Sequence, residues 1–372
     1  MNEIKKYKFC DLYDMASGIS STKGQAGHGA PFLSFRTVFN NYFLPENLID
    51  KMDTTIEEQN TFSIKKGDVF VTRTSETIDE LAMSSVALKD YPNATYSGFV
   101  KRLRPKTTGI VYDKFLAFYL RSKLFRKTMT NNATMTLRAS FNEDIFSFLY
   151  LYLPPYEEQK KIGDLLYNIE MKMLANKKIN DNLEQQAYLI FENMMAKAEA
   201  HRLKGKYTEA KFLASVITGK EDANFSVPNG KYKFFTCSNK PLYCNSYAFH
   251  TSSILIAGNG DFNVKHYSGK FNAYQRTYVL TPKKEYFALL YLASLYRINS
   301  FKSSSSGSIV KFITKSDVEN IPVFIPDDTA YLDELNKLLL AQEQNTLENE
   351  LLVQLRDWLL PMLMNGQATI SD

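Results

Sequence analysis

The sequence predicts an α+β protein in which two mixed α/β domains, related by pseudo-two-fold symmetry, are separated by two long antiparallel coiled-coil helices. Three observations predict this fold: an internal repeat, two stretches with a seven-residue apolar period, and a net charge that alternates along the chain. The predicted domains are residues 1–155 and 201–326, and the predicted spacer helices occupy residues 156–200 and 327–372, the latter with a C-terminal tail. With 372 residues and 44% apolar content, the chain is long enough for two hydrophobic cores.

The internal repeat consists of five similarities that occur in the same order in both halves of the chain. Their offset is about 172 to 185 residues. The matching segments are GDVFVTRTS (67–75) with SSILIAGNG (252–260), NATYSGFVKRLRPK (93–106) with NAYQRTYVLTPK (272–283), DKFLAFYLRS (113–122) with EYFALLYLAS (285–294), the pair Arg138 and Asp144 with Lys311 and Asp317, and FLYLYLPP (148–155) with IPVFIP (321–326). Five matches in sequence indicate a duplicated domain.

Each copy of the repeat is followed by a stretch in which apolar residues recur every seven residues. In the first stretch the recurring positions form two adjacent lines, which are Ile162, Ile169, Asn176, Leu183 and Ile190, and Leu166, Met173, Asn180, Ala187 and Met194. The C-terminal stretch has the same period, for example at Leu338, Leu352 and Leu359. This heptad pattern predicts helices of about 40 and 35 residues, roughly 60 and 50 Å long.

The centre of each predicted helical seam is polar. Asn176 and Asn180 lie there in the first helix, and Gln342, Asn345 and Asn349 in the second. Polar centres align whether the helices are parallel or antiparallel, but a two-fold relation between the halves makes them antiparallel. We hypothesise that the amides fix the helix register at some cost in stability. The alternative is that they occupy a solvated part of the seam.

The net charge differs in sign between the predicted domains and the predicted helices. It is +4 for residues 1–155, −2 for 156–200, +10 for 201–325 and −7 for 326–372. Basic charge on two globular parts suits a polyanion whose phosphates would supply much of the binding free energy.

Cysteine, histidine and hydropathy patterns argue against several other classes of protein. The three cysteines lack CxxC spacing and the four histidines form no cluster typical of metal ligands. No apolar run approaches the roughly 20 residues needed to span a bilayer, and the N-terminus lacks the apolar segment of a signal peptide. We therefore expect a cytoplasmic protein without a structural metal ion.

Two segments resemble catalytic motifs only superficially. Leu153-Pro154-Pro155-Tyr156 has leucine where the (N/D)PP(Y/F) loop of amino-methyltransferases needs an Asn or Asp side chain. Gly258-Asn259-Gly260 lacks the remainder of a nucleotide-binding glycine loop, and its alignment with Arg73-Thr74-Ser75 favours a turn at the end of a strand. We therefore expect no catalytic site in this chain.

The candidate nucleic-acid contacts are basic and amide side chains near predicted turns. Arginine can pair with guanine, and asparagine or glutamine with adenine. The candidates are Arg36, Arg73, Lys101, Arg102 and Arg138 in the first domain, and Asn259, Lys265, Gln275, Arg276 and Lys311 in the second. For each of them the alternative is a solvated surface group. The aromatic residues, 13% of the chain, are interpreted as core packing rather than base stacking.

The two helical stretches also resemble a known family. LPPYEEQKKIGDLL (153–166) with NKKINDNLEQQ (176–186), and LRDWLLPMLMNGQ (355–367), are similar to the helical regions of specificity subunits of type I restriction–modification systems. The resemblance covers essentially the whole chain. The second copy departs from the pattern, because Pro326-Asp327-Asp328 replaces the Pro-Pro and Glu-Glu-Gln motif.

The resemblance implies a DNA-binding subunit without catalytic activity. Each domain would recognise one half of a split, asymmetric DNA site, and the helices would set the spacing and dock two methyltransferase (M) subunits. Restriction/translocase (R) subunits would join them, and S-adenosylmethionine, ATP and Mg would bind to these partners. The candidate docking residues are Glu157, Glu158, Gln159, Arg356 and Asp357, for which the alternative is a solvated helix face.

Three other interpretations remain. A coiled-coil scaffold whose domains bind proteins explains the duplication but not the alternating charge. The same DNA-binding module could serve a different effector in another defence system. A small methyltransferase or nuclease would need motifs that the sequence lacks.

Overall fold

The structure is a computed structural model of the chain, and it describes residues 4–20, 23–75, 77, 80–132, 139–260, 262–304 and 312–370. The chain forms two compact units. The first unit contains Met1–Leu174 and Asn349–Asp372, and the second contains Ala175–Glu348. Each unit combines sheets with helices and includes part of both long helices. The division into two domains and two separate spacers stays a prediction.

The first unit is built around an antiparallel sheet of four strands. In chain order, the elements up to the first long helix are β1 (Lys5–Lys8), α1 (Phe9–Leu12), β2 (Tyr13–Ser17), β3 (Ala26–Leu33), α2 (Phe35–Asn40), β4 (Lys51–Met52), α3 (Ile56–Thr61), β5 (Val69–Thr72), β6 (Thr74–Ser75), β7 (Ser84–Val86), β8 (Thr95–Tyr96), β9 (Val100–Pro105), α4 (Asp113–Tyr119), α5 (Lys123–Asn132), β10 (Ala139–Ser140), α6 (Glu143–Phe148), β11 (Tyr150–Leu153) and α7 (Tyr156–Glu199). The central sheet has the order β2-β9-β5-β7, and β1 pairs with β11.

The main core of the first unit lies between this sheet, α4 and the start of α7. Strand β5 is apolar at three of its four positions and buried throughout, as expected for a strand covered on both faces. Phe115 and Leu116 of α4 and Ile162 and Leu166 of α7 belong to the same buried cluster. The apolar seam at the start of α7 therefore packs on the first unit.

The second unit contains a sheet of six strands. Its elements are β12 (Gly205–Glu209), α8 (Ala210–Leu213), β13 (Ala214–Thr218), β14 (Tyr232–Phe235), β15 (Leu242–Cys244), β16 (Phe249–Ala257), β17 (Val264–Ala273), β18 (Thr277–Pro282), α9 (Phe287–Ser304), α10 (Lys315–Glu319), β19 (Pro322–Pro326) and α11 (Ala330–Met364), together with the C-terminal part of α7. The strand order is β13-β18-β16-β17-β14-β15, and β12 pairs with β19. Strands β14 and β17 pair in parallel, and the other neighbours in this order pair antiparallel.

The two units share a topological centre, which confirms the internal repeat. The antiparallel order β2-β9-β5 of the first unit corresponds to β13-β18-β16 of the second, and the pair β1-β11 corresponds to β12-β19. The units differ in the strands added around this centre. A shared scaffold with different additions is the pattern expected when a duplicated domain acquires different binding surfaces.

The two long helices are present, with 44 residues in α7 and 35 in α11. In the first unit, Arg356 Nη1 is 3.1 Å from Glu170 Oε2, and Asn349 Nδ2 donates to Met173 O at 3.2 Å. Residues later in α7 therefore contact residues earlier in α11. The helices are antiparallel, as the sequence predicts.

The helices are also antiparallel in the second unit, where polar side chains meet at the seam. Asn176 is fully buried and donates to Glu348 Oε2 at 2.7 Å. Asn180 donates to Gln342 O at 3.2 Å and accepts from Asn345 Nδ2 at 2.9 Å. The predicted meeting of Asn180 with Gln342 and Asn345 is confirmed, and Asn176 donates to the carboxylate of Glu348.

Replacing both Asn176 and Asn180 with leucine should make the helix pair more stable but less uniform. Leucine avoids the cost of desolvating two amides, and the partners Glu348 and Asn345 are partly exposed and can bond to water instead. The loss of these hydrogen bonds also removes the contacts that single out one register. Spin labels on Lys178 and Gln344, which are both exposed, would report the register by pulsed electron resonance. We expect one narrow distance in the labelled parent and several distances in the double variant. An unchanged narrow distance without added thermal stability would favour the solvated-seam alternative.

Candidate nucleic-acid interface

A tight turn over residues 97–99, here called the first turn, lies between β8 and β9 in the first unit. Val100 N donates to Ser97 O at 2.9 Å and Gly98 N donates to Ile19 O at 2.7 Å. Arg73, which directly follows β5, donates its backbone N–H to Phe99 O at 2.8 Å. Three backbone hydrogen bonds therefore fix the turn at one end of the central sheet.

The second unit has an equivalent turn over residues 274–276, here called the second turn, between β17 and β18. Thr277 N donates to Tyr274 O at 2.8 Å, and Gln275 N donates to Glu221 O at 2.8 Å. Gly258 follows the buried end of β16 and donates to Arg276 O at 2.8 Å. The same three hydrogen bonds thus recur in both units, so Phe99 and Arg276 occupy equivalent positions.

One glycine in each unit allows the preceding segment to lie against the turn. A Cβ atom on Gly18 would overlap the carbonyl oxygen of Ser97. A Cβ atom on Gly219 would overlap the carbonyl oxygen of Ala273, next to the second turn. Glycine is required at both positions because only a residue without a side chain permits this backbone approach.

Two of the predicted basic residues of the first unit lie beside the first turn. Arg73 is exposed, and its Nη1 is 3.5 Å from Gly98 O. Lys101 Nζ donates to Ser17 Oγ at 2.8 Å. Partial burial, followed by the nearby charge of Arg73, lowers the pKa of Lys101. Because the charge of Arg73 acts on Lys101, an anionic ligand at this turn would relieve the repulsion between the two cations.

Arg102, another candidate, is used inside the first unit. Its Nη1 donates to Ser63 O at 2.8 Å, and its guanidinium lies over the ring of Tyr96, 5.5 Å from the centroid. The side chain therefore stabilises β9 and is less accessible to a ligand than the exposed side chain of Arg73. Arg36 is exposed on α2, and Arg138 lies outside the described residues.

Three candidates of the second unit lie on or beside the second turn. Gln275 and Arg276 are exposed on the turn itself. Asn259 directly follows Gly258, whose backbone N–H donates to Arg276 O in the turn. Lys265 is more enclosed: its Nζ is 3.3 Å from Thr236 O, and burial lowers its pKa. Lys311 lies outside the described residues.

Phe99 is not among the contacts that the sequence predicts, because the pattern of the aromatic residues indicates core packing. The side chain is 66% exposed at the tip of the first turn. Composition and periodicity give no sign of this, since Phe99 lies between a turn glycine and a strand of apolar residues and cations. The signal available was the repeat, which aligns Phe99 with the polar Arg276.

Among the candidate docking residues, Gln159 is corrected by the structure. It is 1% exposed, and its amide donates to Ile110 O at 3.0 Å and Pro154 O at 2.9 Å. Its Oε1 accepts from Tyr112 N at 2.9 Å. A side chain that joins α7 to its own unit is not available to a partner, whereas Glu157 is exposed and Glu158 partly so.

The α11 candidates lie in a charged cluster of the first unit. Arg356 is half-buried between Glu170 and Asp357, and its guanidinium is 5.7 Å from the ring centroid of Tyr42. Asp357 is exposed. Near them Leu351, Leu355 and Trp358 are exposed at intervals of four and three residues. This spacing places them on one face of the helix, and this apolar stripe was not predicted.

Within the described part of the chain, no cluster of three or more His, Cys, Asp or Glu side chains could hold a metal ion. In the same residues no helix is both long enough and apolar enough to cross a membrane.

Sequence comparison assigns the family. A model described as the type I restriction modification DNA specificity domain matches residues 12–185 and again residues 195–352. The chain belongs to this family. Each match contains one of the two turns, so the duplication seen in the hydrogen bonds is a duplication of the specificity domain.

Two relatives illustrate the range of similarity to specificity proteins. The chain is 40% identical over 172 residues to the type I restriction enzyme EcoDI specificity subunit of Escherichia coli. That alignment spans 44% of this chain and 38% of the relative, so the chain matches less than half of that protein's length. The solved S subunit of a type I restriction–modification system from M. genitalium has a TM-score of 0.64 at 15% identity, with 97% of this chain and 96% of that one covered. At this identity the likeness establishes a shared fold.

Proposed function

We propose that this protein is the DNA-specificity subunit of a type I restriction–modification complex and that each unit recognises one half of a bipartite, asymmetric DNA site. The observation that carries the proposal is the recurrence of one turn, held by the same three backbone hydrogen bonds, in two specificity domains. A rigid turn at the end of a sheet can present side chains to base edges without ordering a loop on binding.

The side chains at the two turns supply the chemistry that DNA recognition needs. Arg73 and Lys101 at the first turn can neutralise phosphates, and Asn259 and Arg276 at the second can pair with base edges. Because the two turns carry different residues, we expect the two half-sites to differ in sequence. The resulting DNA site would be asymmetric.

The helices would act as a spacer and as a docking surface for methyltransferase subunits. Glu157, Glu158 and Asp357 would contact these partners. Arg356 would join them, with its side chain oriented by its ion pairs. The apolar stripe of Leu351, Leu355 and Trp358 would add buried area to such a contact. Methyl transfer from S-adenosylmethionine and ATP-driven steps would belong to the partners, with this chain contributing recognition only.

The test is co-expression with a candidate methyltransferase subunit of a type I system from the same source, purification of the complex and single-molecule mapping of N6-methyladenine on random DNA. We expect a methylated motif in two parts with a constant gap. A complex that binds DNA without methylating it would instead favour another effector. A folded protein that forms no complex and binds no DNA would favour a scaffold.

Replacing Arg73 or Lys101 with alanine should weaken DNA binding and flatten its dependence on salt. Removing one cation that binds a phosphate should reduce the slope of log K against log salt by about 1. Fluorescence anisotropy over a salt series measures both quantities. Lys5→Ala removes the same charge from β1, which pairs with β11 rather than with the central sheet, and should leave the slope unchanged. If Arg73→Ala and Lys101→Ala kept the salt slope of the wild type, as Lys5→Ala should, neither residue would have a phosphate-binding role.

A further inference from the structure

We infer that Phe99 is a specificity-determining residue of the first unit and contacts the methyl group of a thymine in its half-site. The inference rests on the proposed function and names one contact within it. Arg276, at the equivalent position of the second turn, would contact guanine. The two half-sites would then differ at corresponding positions because the two side chains differ.

Exposure alone does not mark Phe99, since single apolar residues are common on protein surfaces. Its position does, because it lies at the tip of a turn that recurs in both domains of a DNA-specificity protein. The equivalent residue in the second unit is an exposed arginine rather than a core residue. The fold therefore keeps this position at the surface in both copies.

The backbone of Phe99 is held on both sides. Its N–H donates to Ser97 Oγ at 3.2 Å, and its carbonyl accepts from Arg73 N at 2.8 Å. The ring is consequently carried on a fixed turn, and only its own two side-chain torsions remain to be ordered. A contact made by such a group costs little conformational entropy.

The charges near Phe99 indicate which kind of ligand would contact its ring. Arg73 donates its backbone N–H to Phe99 O and has its guanidinium at the Gly98 carbonyl, and Lys101 lies two residues further along the chain. Glu143 is also near enough to influence Lys101. An exposed ring on a turn that also carries two cations suits a duplex, because phosphates would meet the cations while the ring faces base edges. Among base edges, the thymine C5-methyl is the apolar one.

The residues at the second turn give the matching polar case. Arg276 accepts the Gly258 hydrogen bond through its carbonyl, as Phe99 accepts that of Arg73. Its exposed guanidinium can donate two hydrogen bonds to the O6 and N7 atoms of guanine. Ser97 and Gly98 are replaced by Tyr274 and Gln275, so the second turn is also the larger and more polar one.

The experiment compares the wild type, Phe99→Ala and Arg276→Ala, each in the methyltransferase complex, by mapping methylated sites. We expect Phe99→Ala to relax the motif at one or two thymine positions of one half-site. Arg276→Ala should relax a guanine position in the other half-site only, by on the order of tenfold. Phe212→Ala is the matched control, because Phe212 is 67% exposed and lies on α8, at the opposite end of β13 from the second turn. Its motif should equal that of the wild type.

A second measurement isolates the methyl group. Duplexes with deoxyuridine in place of thymine in the first half-site lack only that group. We expect the wild type to bind them about fourfold more weakly, the value of one buried methyl. Phe99→Ala should bind both duplexes equally. Thermal unfolding of Phe99→Ala should match the wild type, because the ring is mostly exposed.

The outcomes separate this inference from the proposed function. A wild-type complex with no defined motif would overturn both. A wild-type bipartite motif that Phe99→Ala leaves unchanged, with deoxyuridine still discriminated, would overturn the role of Phe99 while the proposed function stands.

Discussion

Gly18→Ala should remove recognition of one half-site, and Gly219→Ala should remove recognition of the other. In each case the new methyl group would overlap a backbone carbonyl at or beside the turn, Ser97 O in the first unit and Ala273 O in the second. Backbone atoms cannot move aside as a flexible side chain can. The turn must therefore shift, at a cost of about 1–3 kcal/mol.

The expected effect is large because recognition depends on geometry as well as on stability. A turn displaced by an ångström no longer makes base contacts that are each worth about 1–3 kcal/mol, so DNA affinity should fall by roughly one to two orders of magnitude. Affinity for the mapped site and methylation motifs measure the effect. Gly24→Ala is the control, since a Cβ atom there meets nothing within 4 Å. If either variant kept both half-sites at full affinity, the turns would not be recognition elements.

The duplication and the long helices could be predicted because both depend on periodic patterns. Apolar residues at a seven-residue step produce a helical seam almost regardless of context. The alignment of Arg73 with Gly258 follows from two buried strands that end at the same place, and the structure confirms it through matching hydrogen bonds. Patterns of this kind can be recognised in the sequence because they reflect backbone geometry, which is common to both copies.

The roles of individual polar side chains could not be predicted, because they depend on partners far away in the chain. Arg102 bonds to Ser63, 39 residues earlier, and Gln159 bonds to Ile110, 49 residues earlier. Neither partner is recognisable as such, since each contributes only a backbone carbonyl. Every residue has such a carbonyl, so sequence alone gives no reason to choose one.

Gln159→Leu should destabilise the first unit by about 2–4 kcal/mol. The change leaves Tyr112 N, Ile110 O and Pro154 O without their present partner, and a buried unsatisfied group costs about 1–3 kcal/mol. The only tryptophan, Trp358, belongs to the first unit, so its fluorescence during urea unfolding reports on that unit. Glu157→Ala, two positions away and exposed, should change stability by less than about 0.5 kcal/mol.

In the second unit, the side-chain amide of Asn336 joins α11 to the start of α9. The junction of this unit lacks the Pro-Pro and Glu-Glu-Gln motif, yet Asn336 of α11 donates to Glu285 O at 2.8 Å and accepts from Ala288 N at 3.1 Å, at the start of α9. Gln159 makes the corresponding bonds at the start of α4. Because Asn336 is less buried, Asn336→Leu should cost about 1 kcal/mol, seen as faster amide exchange at Ala288. If neither amide mattered, the long helices would be held on their units by the apolar seams alone, and the motif would need another explanation, such as contact with a partner.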